Sequence, residues 1–196
     1  MKKQNKRIIE TICLVAGAGL MIVAIAILLG WQWRIRSFQQ RLEEYVHTLR
    51  TLMPEPQGAY PEERRDNTMA VLSLDGTDFI GILEMPVYGS ALPVCAQWGN
   101  SSKYPCCLRG SIYDGTMQIG ATSQKGQYDF YREISVGDTV FYTDMEGNRY
   151  SYEVTDIRYE RHADQVALQK KEAALTLFVK NEYALEYVII FCNVIN

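Results

Sequence analysis

Histidine is nearly missing from this chain, which holds only His47 and His162. No two cysteines share the C-x-x-C spacing. A structural zinc site needs four well-spaced nitrogen or sulfur ligands, so no metal is expected, and no cofactor either. The cysteines number five: Cys13, Cys95, Cys106, Cys107 and Cys192. Their odd count and irregular spacing do not read as a disulfide framework. The residues allow one bridge between Cys192 and one of Cys95, Cys106 or Cys107, while reduced, buried thiols are the expectation. A long basic stripe is also lacking, and the net charge is only −3, which argues against a nucleic-acid partner.

What the chain has in excess is apolar sequence near its N-terminus. From Thr11 to Trp33 there is no charged residue. As a helix rising about 1.5 Å per residue, that run is long enough to cross a hydrocarbon core of about 30 Å. Trp31 and Trp33 close it, where indoles favour a membrane interface. A cleaved signal peptide is the competing reading, but its apolar core would be only about 7–15 residues and would end in a small-x-small site. The bulky Trp31-Gln32-Trp33-Arg34 does not fit that pattern, so an uncleaved anchor in the lipid bilayer is expected. Lysines and arginines are nearly balanced across it. The short tail, residues 1–10, is the easier side to keep in the cytoplasm, which places the C-terminal part outside the cell membrane.

Beyond the anchor, Ile35, Phe38, Leu42, Tyr45, Leu49 and Leu52 recur at spacings of three and four, the stripe of a helix over residues 34–53. This stripe suits packing on the domain or the membrane surface; pairing with a second copy is the alternative. Met53-Pro54-Glu55-Pro56 ends the helix, and residues 54–77 read as a linker.

From residue 78 to 196 the pattern is β. Phe79–Met85, Met117–Gly120, Thr139–Thr143, Arg149–Val154, Ala174–Val179 and Tyr187–Phe191 are short runs rich in β-branched and aromatic residues. Thr139–Thr143 and Arg149–Val154 flank the Gly-containing Asp144–Asn148, which predicts a hairpin. Asp164 to Ala173 suits a short helix. The expected architecture is a mostly β domain, a small barrel or sandwich, behind one transmembrane helix.

These residues carry a resemblance. Gly81-Ile82-Leu83-Glu84-Met85-Pro86, followed by Ala91-Leu92-Pro93-Val94, is similar to the first two strands of sortases. Gly110-Ser111 and Gln118-Ile119-Gly120-Ala121 resemble the approach to the sortase histidine. Val136-Gly137-Asp138-Thr139-Val140-Phe141 and the Gly147 to Val154 stretch resemble the family's G-D-x-V and G-x-x-Y-x-Y-x-V block. Leu175-Thr176-Leu177-Phe178 matches the L-T-L-x-T-C strand up to its last two positions. The resemblance implies a sortase-like closed β-barrel, of the membrane-anchored Gram-positive type.

It also implies a site. Sortases cut a C-terminal sorting signal and join it to an amine. A thiolate attacks the carbonyl, a histidine protonates the leaving amine, and an arginine stabilises the developing charge. Here the histidine position falls at Thr122, with Ala121 one residue off. The cysteine position falls at Lys180, and the arginine position at Tyr187, with Glu186 one residue off. None of the three side chains is present. A neutral Lys180 paired with Thr122 is a conceivable dyad. His162 lies in the polar stretch Arg158 to Asp164, which resembles the loop that helps bind signals. The expectation is a catalytically inactive sortase-like protein that binds a sorting signal, a pilin or an active sortase. An active transpeptidase with substituted residues and a structural envelope protein are the alternatives.

Overall fold

The computed structural model describes residues 2–55, 68–100, 103–122, 129–161, 173–181 and 186–195. His162, residues 56–67 of the 54–77 segment and the helix expected from Asp164 lie outside them, Ala173 apart. The chain divides into two compact units, Met1–Gln40 and Arg41–Asn196.

A single helix, α1, runs Lys2–Leu52, where two were expected. No Gly or Pro stands between Trp33 and Met53 to break it. In the first unit the helix from Leu14 is long and apolar enough to span a membrane, and Leu20, Met21, Ile22 and Trp33 present their side chains outward.

In the second unit, the last turns of α1 bury Leu42, Val46 and Leu49. That face differs from the expected stripe. Val46 replaces Leu52, which is exposed, and Tyr45 sits at the margin. Val46 and Leu49 join Phe79, Ile82, Cys95, Cys106 and Met145 in one apolar cluster. The helix end therefore packs into an apolar cluster with Ile82, on the side of β2 that also carries Glu84. Tyr45 donates a 2.9 Å hydrogen bond to Asp75. Arg50 contacts Glu84, which Arg149 also approaches at 3.3 Å.

Nine strands follow among the described residues: β1 Leu72–Leu74, β2 Thr77–Met85, β3 Ser90–Cys95, β4 Cys106–Arg109, β5 Met117–Thr122, β6 Thr139–Asp144, β7 Arg149–Glu160, β8 Leu175–Asn181 and β9 Glu186–Val194. Their order is β1-β2-β3-β4-β5-β8-β9-β7-β6, and β6 pairs back onto β2. Strands β2 to β9 thus close a barrel, as expected, and β1 hangs on β2 as a hairpin. Closure removes the exposed sheet edges along which strands aggregate.

Turn chemistry explains two of the hairpins. Asp75 and Gly76 both have positive φ, 50° and 74°, as a two-residue type I′ turn requires. Asp144, almost fully buried, closes the β6–β7 turn. Its carboxylate accepts bonds from the Glu146 and Asn148 amides at 3.0 and 2.9 Å and from the Asn148 side chain at 3.0 Å.

One expectation about cysteine is overturned. Cys95 and Cys106 form a disulfide, while Cys107 and Cys192 remain buried thiols. The parallel pairing of β3 with β4 has one register pair, Cys95 with Cys106, and it brings their Cα atoms to 4.5 Å. Cys106 and Cys107 open a short strand, Cys106–Arg109. Cys192 cannot reach this bridge because it faces the barrel interior beside Leu175 and Val154.

Candidate functional site

Three neighbouring strands carry the expected site. The parallel β5–β8 register sets Thr122 opposite Lys180, and the antiparallel β8–β9 register sets Lys180 opposite Tyr187. Adjacent strands lie about 4.8 Å apart, so the three positions form one row about 10 Å long. Glu160 on β7 extends it, opposite Tyr187. Ala121 stands beside Val179, with both buried, and Glu186 stands beside Asn181. The one-residue alternatives therefore fall outside the row.

Lys180 is exposed and Tyr187 half-buried. Among the described residues, none forms an ion pair with Lys180.

Alternation along the strands gives the rest of the surface. Leu175, Leu177 and Val179 fill the barrel with Val188, Ile190 and Cys192, so Thr176, Phe178 and Lys180 share the outer face. Next to the first row lies a second: Gly120, Phe178, Ile189 and Arg158. Phe178, Ile189 and Phe191 form a buried cluster on this outer face, packed against Leu108 and Ala173. Trp98 stacks over Phe178, with ring centroids 5.3 Å apart. The floor beside the row is covered by the chain itself: Phe178 is 4% exposed.

Arg158 is the arginine in this second row. Its Nε lies 2.7 Å from Asp156 Oδ2, and its guanidinium lies 4.7 Å above the Phe191 ring. Both contacts lead it along β7 away from the row. Nor do Cys107 and Cys192 supply a nucleophile. Burial pushes Cys107 up to about 11 and Cys192 up to about 12, so each stays protonated near neutrality. Cys192 lies five residues along β9 from Tyr187, about 17 Å away. His47 is exposed on α1. No group of three or more metal-ligating side chains occurs among the described residues.

Sequence reasoning missed the disulfide, Trp98 and the covered floor. The Trp98–Phe178 contact joins residues eighty apart, and no local pattern announces it.

No protein-family model and no curated protein matches the chain. Solved structures do. Sortase A from Corynebacterium diphtheriae is similar at 14% identity with a TM-score of 0.54, over 83% of this chain and 84% of its own. Sortase C1 from Streptococcus agalactiae is similar at 18% identity, TM-score 0.54, over 82% and 89%. Clostridium perfringens sortase C with the C-terminal cell wall sorting motif is similar at 14% identity, TM-score 0.53, over 83% and 90%. At these identities the likeness is one of fold, and this chain has the sortase-like fold.

Proposed function

We propose that this chain is a membrane-anchored, catalytically inactive member of the sortase family that acts by binding at the cell envelope. The observation that carries the reading is the row Thr122, Lys180 and Tyr187 on three adjacent strands. The resemblance expects histidine, cysteine and arginine at these positions. A hydroxyl, an ammonium and a phenol cannot reproduce thiolate attack, leaving-group protonation and oxyanion stabilisation.

The partner in this reading is a sorting signal, a pilin subunit or an active sortase. One of the structures of similar fold was solved with a sorting motif, which supports a peptide of that class. The apolar helix of the first unit crosses the membrane, with the N-terminal tail in the cytoplasm and the barrel outside. Trp31 and Trp33 at its C-terminal edge support the anchor. An exposed Lys180 beside a half-buried Tyr187 leaves a cationic, hydrogen-bonding rim for a partner's carboxylate or carbonyl.

Fluorescence anisotropy of the full chain in detergent tests this, with a labelled sorting-signal peptide, a pilin subunit and an active sortase as separate probes. Saturable binding of one of them, weakened about tenfold (roughly 1.4 kcal/mol) by Lys180→Glu and leaving no covalent product, supports the reading. Absence of binding to all three would return the chain to a structural envelope role.

A further inference from the structure

The Cys95–Cys106 bridge sits at a particular place. Strands β3 and β4 meet in parallel through one register pair, and the bridge joins that pair. Every other seam of the barrel has three or more pairs in register. The disulfide therefore staples the thinnest seam.

The chain between the two cysteines carries Trp98, in the short 3-10 turn Trp98–Asn100. Its indole is 40% exposed and stacks on Phe178, in the row next to Lys180. The base of this stretch is held by the bridge and by two backbone bonds, Cys95 N–H to the Pro105 carbonyl and Ala96 N–H to the Asp78 carbonyl, both 2.8 Å. Tyr104, at its other end, packs edge-on against Phe79 and Tyr45. Covalent closure thus fixes where the indole can lie.

Cys107 does not compete. Its side chain is buried and its thiol is held protonated by that burial, so it is not poised to attack the neighbouring bridge.

We propose that the disulfide is a redox latch on the cover over the candidate site. Oxidised, it holds Trp98 on Phe178 and keeps the floor beside Lys180 closed. An external dithiol reduces it by two successive exchanges. The first thiolate breaks the S–S bond and forms a mixed disulfide. The second thiol displaces the sulfur still held in it, leaving Cys95 and Cys106 as two thiols and the reductant as its own disulfide. With the staple gone, the one register pair and its Cys95–Pro105 backbone bond hold the seam. Trp98 then leaves Phe178 and uncovers the apolar floor. The inference rests on the row being a binding site, because a cover matters only where something binds.

The test uses the full chain in detergent with Trp31→Phe and Trp33→Phe, so that Trp98 is the sole indole. Acrylamide quenching of Trp98 is read with and without excess dithiothreitol, beside far-UV circular dichroism. The latch predicts at least a twofold rise in the quenching constant on reduction, with the β spectrum and a cooperative melt retained. The double variant Cys95→Ser, Cys106→Ser should match the reduced protein without any reductant. In the oxidised protein, Trp98→Ala should raise binding of the environment-sensitive dye ANS to the level that reduction gives. Unchanged quenching on reduction would overturn the latch, as would loss of the β spectrum, which would make the bridge a general staple of the fold. Finding Cys95 and Cys106 unbridged in the non-reduced protein would overturn it too. None of these readouts uses a sorting peptide, pilin or sortase, so failure of the binding reading shows separately in the anisotropy titration.

Discussion

The ring of Phe178 occupies the space in front of Gly120 on the neighbouring strand: a Cβ added at Gly120 would stand 2.0 Å from its Cζ. Phe178 cannot yield easily, because Trp98, Ile189 and Phe191 hem it in. Gly120→Ala should therefore strain both strands and cost about 1–3 kcal/mol. For a domain of this size the melting temperature should fall by roughly 3–10 °C. Differential scanning calorimetry measures it, and an unchanged melt would show that the ring is not fixed there.

Leu49 is completely buried among Val46, Phe79 and the bridged cysteines. Leu49→Ala should destabilise the domain by about 2–5 kcal/mol. A fragment of residues 41–196 should melt cooperatively, and one of residues 70–196 should unfold at lower denaturant because its helix-binding cleft is bare. Equal midpoints for the two fragments would remove the helix end from the core.

The barrel was legible in the sequence because its strands alternate and its turns carry recognisable residues. Thr139 to Val154 reads directly as a hairpin, and β8 and β9 stand out by composition. Strand β1 was missed although Asp75-Gly76 is a strong two-residue turn signal, because only three residues precede it in the hairpin. Strand β4 was missed because Cys106-Cys107-Leu108-Arg109 lacks alternation and a flanking turn motif. Strand β7 runs six residues past the expected Val154, carried by its pairing with β9 rather than by local preference. The positions Thr122, Lys180 and Tyr187 were reached through the sortase resemblance, and the register brings them side by side. The covered floor was not legible, since burial of an outer face depends on what folds over it. The Cys95–Cys106 pairing depends likewise on a parallel seam that no local pattern reveals.

The buried thiols of Cys107 and Cys192 tie stability to pH. Burial raises Cys107 and Cys192 from the usual 9.0 to about 11 and about 12. The unfolded chain ionises these thiols before the native fold does. Their contribution is full below pH 9 and is lost as pH rises through 9 toward 11 and 12. Urea midpoints measured from pH 8 to 11 should fall, and fall less steeply in Cys107→Ala, Cys192→Ala. Iodoacetamide at pH 8 should label neither thiol in the native protein and both in urea. Rapid native labelling would contradict the burial.

Protease added to intact spheroplasts should remove the barrel and leave a membrane-embedded fragment ending beyond Trp33. Protection of the barrel would reverse the proposed orientation.

The proposed loss of the catalytic groups predicts how repair behaves. Groups that act as a unit are not additive, so Lys180→Cys by itself should yield no transpeptidation above background. A thiol at 180 still lacks an acid at 122 and a guanidinium at 187. Adding Thr122→His and Tyr187→Arg should be needed before any product forms. Activity from Lys180→Cys in isolation would mean that other groups on this face already serve as acid and oxyanion donor.

The central claim is that the row Thr122, Lys180 and Tyr187 performs no transpeptidation. Mass spectrometry of the unmodified protein, incubated with a sorting-peptide library and an amine acceptor, tests it most directly. The expected result is neither a cleaved nor an amine-joined peptide, in the oxidised or the dithiol-reduced protein. A joined product that disappears on Lys180→Ala or Thr122→Ala would contradict the claim and assign catalysis to that pair.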